Sequence, residues 1–204
     1  MVWVWDIERL PGPGKGVWFY LYAVWDLWSR KNVGWCVDIV ETVETVEWLM
    51  TITIKREHVD RDQLIIHSDR GAQMTAGTIT DLYDMLGIRR SLSRPRVSND
   101  TPPPKPGFKT LKYRPDWPAQ FATLATAISH CETFFDWYNH DHHHTGIGLL
   151  TPADRHAGNG QRINTARQTV LDNAHQHHPE RFPNGPPRPP RQPNSPEYGS
   201  TPPN

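Results

Sequence analysis

Residues 2–40 read VWVWDIERLPGPGKGVWFYLYAVWDLWSRKNVGWCVDIV, and this stretch decides the fold. Residues 2–7 and 17–26 are dominated by β-branched and aromatic side chains, and the LPGPGKG between them is built of turn formers, so the pair predicts a β-hairpin. Asn32 to Val40 is equally β-rich and follows the turn-like SRK, which extends the hairpin into a three-stranded antiparallel meander. From Glu41 the period changes. Val43, Val46, Leu49 and Met50 recur at helical intervals, the signature of a helix crossing over the sheet.

Downstream, Leu64 to His67 is a short apolar run that enters the loop SDRG, as a buried strand does at its C-terminal end. Thr75 to Leu86 predicts a second amphipathic helix, with Ile79, Leu82, Tyr83 and Leu86 on one stripe and Gly87 as its stop. Ile88 to Ser93 is a candidate fifth strand, and Leu124 to Tyr138 a long helix that ends in NHDHHH. Residues 161–178 suit one more helix, and from His178 onward Pro, Asn, Gly and Ser predominate, which predicts an extended or disordered tail. The elements together describe an α/β fold of the ribonuclease-H-like kind, a mixed sheet of about five strands flanked by helices, with a Pro-rich C-terminal tail. The expected organisation is a ribonuclease-H-like core over residues 1–118, a helix and His-rich segment over 119–160 that completes it, and a short helix with the tail over 161–204.

Composition removes several function classes. Lys plus Arg and Asp plus Glu both number 22, so any nucleic-acid contact must come from local patches and not from a global field. Cys36 and Cys131 are far apart and lack CxxC spacing, which fits reduced thiols in a cytoplasmic protein better than a disulfide framework or a zinc ribbon. The chain shows neither a membrane-spanning apolar run nor a signal-peptide pattern. Met1 is followed at once by an apolar strand ending in an acid, an opening expected of a chain cut from something longer.

Asp6, within the first strand, and Asp69, in IIHSDRG, are the candidate catalytic acids. Phosphodiester chemistry with two divalent ions about 3.5–4 Å apart needs carboxylates converging from separate elements, and hard oxygen ligands suit Mg²⁺ or Mn²⁺. Singly, each of these Asp residues reads as a strand-end capping group. Basic residues cluster as Arg94 and Arg96 in RRSLSRPR and as Lys109, Lys112 and Arg114 in KTLKYR, positions suited to a phosphate backbone, although a solvated charged face reads the same way.

The stretches VWVWDIERLPGPGKGVWFYLYAVWDLWSR, QLIIHSDRGAQMTA, LGIRRSLSRPRVSND, FKTLKYRP, FFDWYNHDHHHTGIGLLTPADRH and HPERFPNGPPRPP, in this order, resemble the integrase-like transposases encoded by the second reading frame of bacterial insertion sequences, relatives of retroviral integrases. The resemblance implies a catalytic core that cuts DNA at transposon ends and joins a 3′-hydroxyl to target DNA, with two Asp and one Glu around divalent metal. It also implies DNA as partner, with a homo-oligomer or a full-length transposase as possible assemblies, and it makes the absence of an upstream helix-turn-helix region an expectation of truncation. Asp6 matches the first acid and Asp69 the second. Lys105 occupies the position of the missing Glu. Asp26 matches a recurrent position and reads as structural or supporting.

An ammonium at position 105 would repel a divalent ion by several kcal/mol in a partly buried site, so weak or single-site metal binding is expected. The helix expected to carry the third acid contains Pro106 and Gly107, which in a helix interior cost about 3 and about 1 kcal/mol. A PPPKPG loop is therefore the expected local structure. Asp100, the nearest other acid, points about 140° away on such a helix. His140, His142, His143 and His144 lack the spacing and companions of a zinc site and suit a helix end that packs on the core or touches DNA. Two further readings stay open: a weak metal-dependent nuclease, and a non-catalytic DNA-binding or transposase-interacting protein.

Overall fold

The computed structural model describes residues 1–60, 63–68, 77–92 and 105–193, with the backbone alone at positions 78, 92, 105 and 106. Five strands form one mixed sheet in the order β3-β2-β1-β4-β5. They are β1 (Val2–Pro11), β2 (Trp18–Asp26), β3 (Asn32–Asp38), β4 (Ile65–Ser68) and β5 (Arg89–Leu92). The first three form the expected antiparallel meander, while β4 pairs parallel with β1 and β5 parallel with β4. The helices are α1 (Val43–Arg56), α2 (Gly77–Leu86), α3 (Lys105–Lys112), α4 (Leu124–His140), α5 (Pro152–His156) and α6 (Gly160–His177). The ribonuclease-H-like reading holds in its strand count, its mixed pairing and its flanking helices.

Two compact units emerge from the packing, one of residues 1–27 and 31–136, the other of residues 28–30 and 137–204. In the first, strand alternation sorts side chains onto two faces of the sheet. Trp3, Trp5, Tyr22, Val24 and Ile66 point to one side, where Val46, Leu49 and Met50 of α1 and Ile79 and Tyr83 of α2 close a fully buried core. The other side is aromatic. Trp25 of β2 meets Phe108 of α3 edge-on at 4.7 Å and Phe135 of α4 at 6.2 Å, and Trp35 of β3 stacks on Phe135 at 5.3 Å.

Local chemistry sets the ends of the helices. Thr42 caps α1 by accepting from the Thr45 N–H, and the last turn carries Lys55 and Arg56 where the helix dipole favours cations. Gly87, at a φ of 68°, ends α2 as its position predicts.

The structure corrects the expectation of a PPPKPG loop in place of a helix. α3 begins at Lys105, so Pro106 lies in the first turn, where its absent N–H has no intrahelical partner to lose. Gly107 has a packing role: a Cβ there would stand 2.7 Å from Cζ2 of Trp25, an indole already wedged against Phe108 and Phe135.

In the second unit, α4 ends at His140 and a 3₁₀ turn, Thr145–Ile147, follows. The His-rich segment packs here. His142 stacks on Tyr138 at 5.4 Å, and His144 Nδ1 accepts from the Gly146 N–H and caps the turn. Burial, with Arg30 and His142 nearby, pushes the His144 imidazole down to about 4, which keeps it neutral. The Pro-rich segment is extended, and through Pro193 it lies along α6: Gln192 Nε2 donates to the Gly160 carbonyl at 2.9 Å and Gln168 Nε2 to the Pro187 carbonyl at 3.1 Å. Both cysteines are free thiols, pushed up to about 12 by burial.

Candidate active site

Asp6 sits in β1 opposite Ala23 of β2, half-buried, on the aromatic face of the sheet. Its Oδ1 accepts from the Ile7 N–H at 2.9 Å, which fixes the carboxylate against its own strand. On the other flank, β4 runs parallel to β1 with Val4 opposite His67, so β4 finishes at Ser68 beside the segment of β1 that carries Asp6. Parallel neighbours share a face. His67 therefore lies on the side of Val4 and Asp6, buried, with its Nδ1 3.1 Å from Ser91 Oγ of β5.

The helix that opens with Lys105 crosses this same face. Gly107 and Phe108 pack on Trp25, whose strand partner is Val4, and Lys112 Nζ reaches Glu8 Oε1 at 2.8 Å. Glu8 is two residues beyond Asp6, so it shares its face. The N-terminal turn of α3 is thus held above the Val4–Asp6 part of β1 and its C-terminal turn above Glu8.

Of the expected site residues, Asp69, Arg94 and Arg96 lie outside the described residues, as does Asp100, and the side chain of Lys105 does too. The remaining cations of the expected DNA path are on or beside α3. Lys109 is exposed, with its Nζ 5.7 Å from the Tyr113 ring centroid; Lys112 is paired with Glu8; Arg114 forks onto Asp116 at 2.7 and 3.0 Å. That fork holds the Asp116 carboxyl below its usual range. Asp26 is buried at the end of β2, opposite Trp3, and its N–H closes the turn by donating to the Lys31 carbonyl at 2.9 Å.

Glu8 and His67 escaped the sequence reading. Strand alternation in DIE places Glu8 on the face of Asp6, whereas the sequence marks His67 only as the end of an apolar strand.

Two models, both described as the integrase core domain, match residues 1–98 and 86–152. The chain belongs to the integrase-core family of insertion-sequence transposases. It is 29% identical to the transposase for insertion sequence element IS904 of Lactococcus lactis subsp. lactis, over 75% of this chain and 60% of the relative. It is 26% identical to an uncharacterized 31 kDa protein of insertion element IS600 from Shigella sonnei, over 74% of this chain and 55% of that protein. With transposase InsF of insertion sequence IS3A from Escherichia coli K12 it shares 27% identity, over 66% of this chain and 47% of the relative. This integrase core thus spans roughly half the length of the curated relatives it matches.

Solved structures agree on the fold. The catalytic core domain of BIV integrase superposes with a TM-score of 0.52 at 16% identity, covering 79% of this chain and 97% of that one. A chain of the simian T-cell lymphotropic virus intasome in complex with PP2A regulatory subunit B56 gamma does so with a TM-score of 0.58 at 15% identity, covering 76% of this chain and 53% of the other.

Asp6 supplies a half-buried hard oxygen donor, which fits a divalent ion as one ligand. Among the described residues no group of three His, Cys, Asp or Glu side chains converges to hold a metal. Among them, also, no helix is long and apolar enough to cross a membrane.

Proposed function

We propose that this integrase core acts on DNA through a two-carboxylate centre, Asp6 and Asp69, that binds Mg²⁺ or Mn²⁺, and that Lys105 at the third-acid position impairs DNA cleavage and strand transfer. The observation that carries this reading is the parallel register of β1 and β4. Val4 stands opposite His67, β4 ends at Ser68, and Asp69 is the next residue in the chain, two positions beyond His67 as Asp6 is two beyond Val4. The placement of α3 supports the second half of the reading, because its first residue is Lys105 and its first turns lie on the face of Asp6.

A divalent ion in such a centre supplies Lewis-acid polarisation of the phosphodiester. Asp6 would hold it with an oxygen ligand already oriented by the Ile7 N–H. Asp69 would provide the second carboxylate. The Lys105 ammonium, a fixed positive charge where a carboxylate belongs, disfavours a second cation. DNA would approach over α3, where Lys109 is exposed; Arg94 and Arg96 complete the proposed path, while Lys112 and Arg114 engage it by exchanging their present carboxylate partners for phosphate.

A second reading is favoured by the same Lys105: a non-catalytic protein that binds DNA, or joins copies of itself or a full-length transposase, without cutting. Nicking of supercoiled plasmid in Mn²⁺ separates the two. The first reading expects feeble nicking, its loss in Asp6→Asn and Asp69→Asn, and a gain of at least about tenfold in Lys105→Glu. DNA binding with no nicking by any of these proteins would assign the non-catalytic role. Nicking unchanged by Asp6→Asn would remove Asp6 from the centre.

A further inference from the structure

The second unit holds a cleft of about 820 Å³ between α6 and the Pro-rich segment, lined among others by Trp28, Arg155, Gln161, Asn164, Arg188 and Arg191. Among the described residues no carboxylate lines it. We propose that this cleft is a second nucleic-acid contact, one that grips the phosphodiester backbone and is distinct from the path over α3. The inference rests on the DNA reading above and extends it to a surface outside the carboxylate centre.

The cations of the cleft fall into two kinds. Arg155 is spent on structure: its guanidinium lies 3.7 Å from the Trp28 ring centroid, Nη1 donates to Gln192 Oε1 at 2.8 Å and Nη2 to the Pro193 carbonyl at 2.6 Å. It ties the Pro-rich segment down. Its Nε is buried without an acceptor, so the cleft wall retains an unsatisfied donor. Arg188 and Arg191 are different, because neither has a hydrogen-bond or ion-pair partner among the described residues.

Their spacing is the second argument. Pro186, Pro187, Pro189, Pro190 and Pro193 hold φ near −65°, which favours a threefold extended helix rising about 3.1 Å per residue. Residues three apart then project from the same side, so Arg188 and Arg191 repeat at about 9 Å along one edge of the segment. Guanidinium groups at a regular interval suit a repeating anion better than one small anion, and the amides of Gln161 and Asn164 add hydrogen-bonding groups for phosphate and sugar. The unit contains seven arginines and no lysine, and arginine is the side chain that binds phosphate through a planar fork.

The test is fluorescence anisotropy of a short labelled DNA duplex with the whole chain, across a salt series. Arg188→Gln combined with Arg191→Gln should weaken binding at least about fivefold and reduce the slope of log affinity against log salt by about 1.8, the loss expected for two phosphate contacts. Arg188→Lys with Arg191→Lys should keep most of the slope, and Arg181→Gln, outside the cleft, should change neither quantity. A double Gln variant that stays folded by circular dichroism and binds like the unaltered chain overturns the inference while leaving the α3 path and the carboxylate centre standing. An unaltered chain that binds no DNA overturns both. Displacement of the duplex by poly-glutamate as readily as by unlabelled DNA would assign the cleft to acidic protein and reject the nucleic-acid contact.

Discussion

The two faces of the sheet are made from the same strands and obey different rules. On the side of Trp3 and Trp5, the strands meet α1 and α2 in a closed core whose members are almost wholly buried. On the side of Asp6, Trp25, Phe108, Trp35 and Phe135 form an aromatic wedge, and β1 carries two carboxylates, Asp6 and Glu8, the second paired with Lys112. Both faces bury apolar side chains. The Asp6 face does so through Trp25, Phe108 and Phe135, which also hold α3 against β2.

Adjacent residues of β1 test this contrast most sharply. Trp5→Ala should lower unfolding free energy by about 3–5 kcal/mol, because it empties a large volume in the closed core. Asp6→Asn, one position along, should stay within about 1 kcal/mol and act on metal binding instead. Urea unfolding of the two variants measures both, and comparable losses would erase the distinction between the faces.

A smaller effect is expected where the aromatic face packs tightest. Gly107→Ala gains about 1 kcal/mol of helix propensity but forces a methyl into the Trp25 ring, an overpacking cost of about 1–3 kcal/mol. A net loss of about 1 kcal/mol, accompanied by a changed near-ultraviolet signal from Trp25, is the expected result. A stabilised Gly107→Ala with an unchanged signal would mean that α3 is not held against Trp25.

The smallest effect belongs to the ion pair at the other end of α3. Lys112 and Glu8 are partly exposed, so Lys112→Met should cost no more than about 1 kcal/mol, a difference that disappears in high salt. A larger, salt-independent loss would show that this pair, and not the aromatic wedge, fixes the helix.

The meander was legible because Val, Trp and Tyr alternate with turn residues at a length that only strands satisfy, and α1, α2 and α4 because their apolar residues keep a helical period. α3 was not, since Pro106 and Gly107 both signal a break. Only the position of the helix start and the contact with Trp25 show why each is tolerated. Asp6 was found as an acid inside an apolar strand, with the resemblance to assign its role. Glu8 went unnoticed because its meaning depends on Lys112, more than a hundred residues later in the chain. The Pro-rich end was legible only in part: its composition says extended, as residues 187–193 are, but the bonds from Gln168 and Arg155 that lay it along α6 come from elsewhere in the sequence.

Titration calorimetry with Mn²⁺ on three proteins, the chain as it stands, Lys105→Glu and Asp6→Asn, tests the central claim most directly. One weak ion or none for the unaltered chain, a second site gained in Lys105→Glu and all binding lost in Asp6→Asn would establish a metal centre on the Asp6 face, weakened by one side chain. Two ions bound equally well with Lys105 or Glu at that position, or binding indifferent to Asp6→Asn, would contradict it.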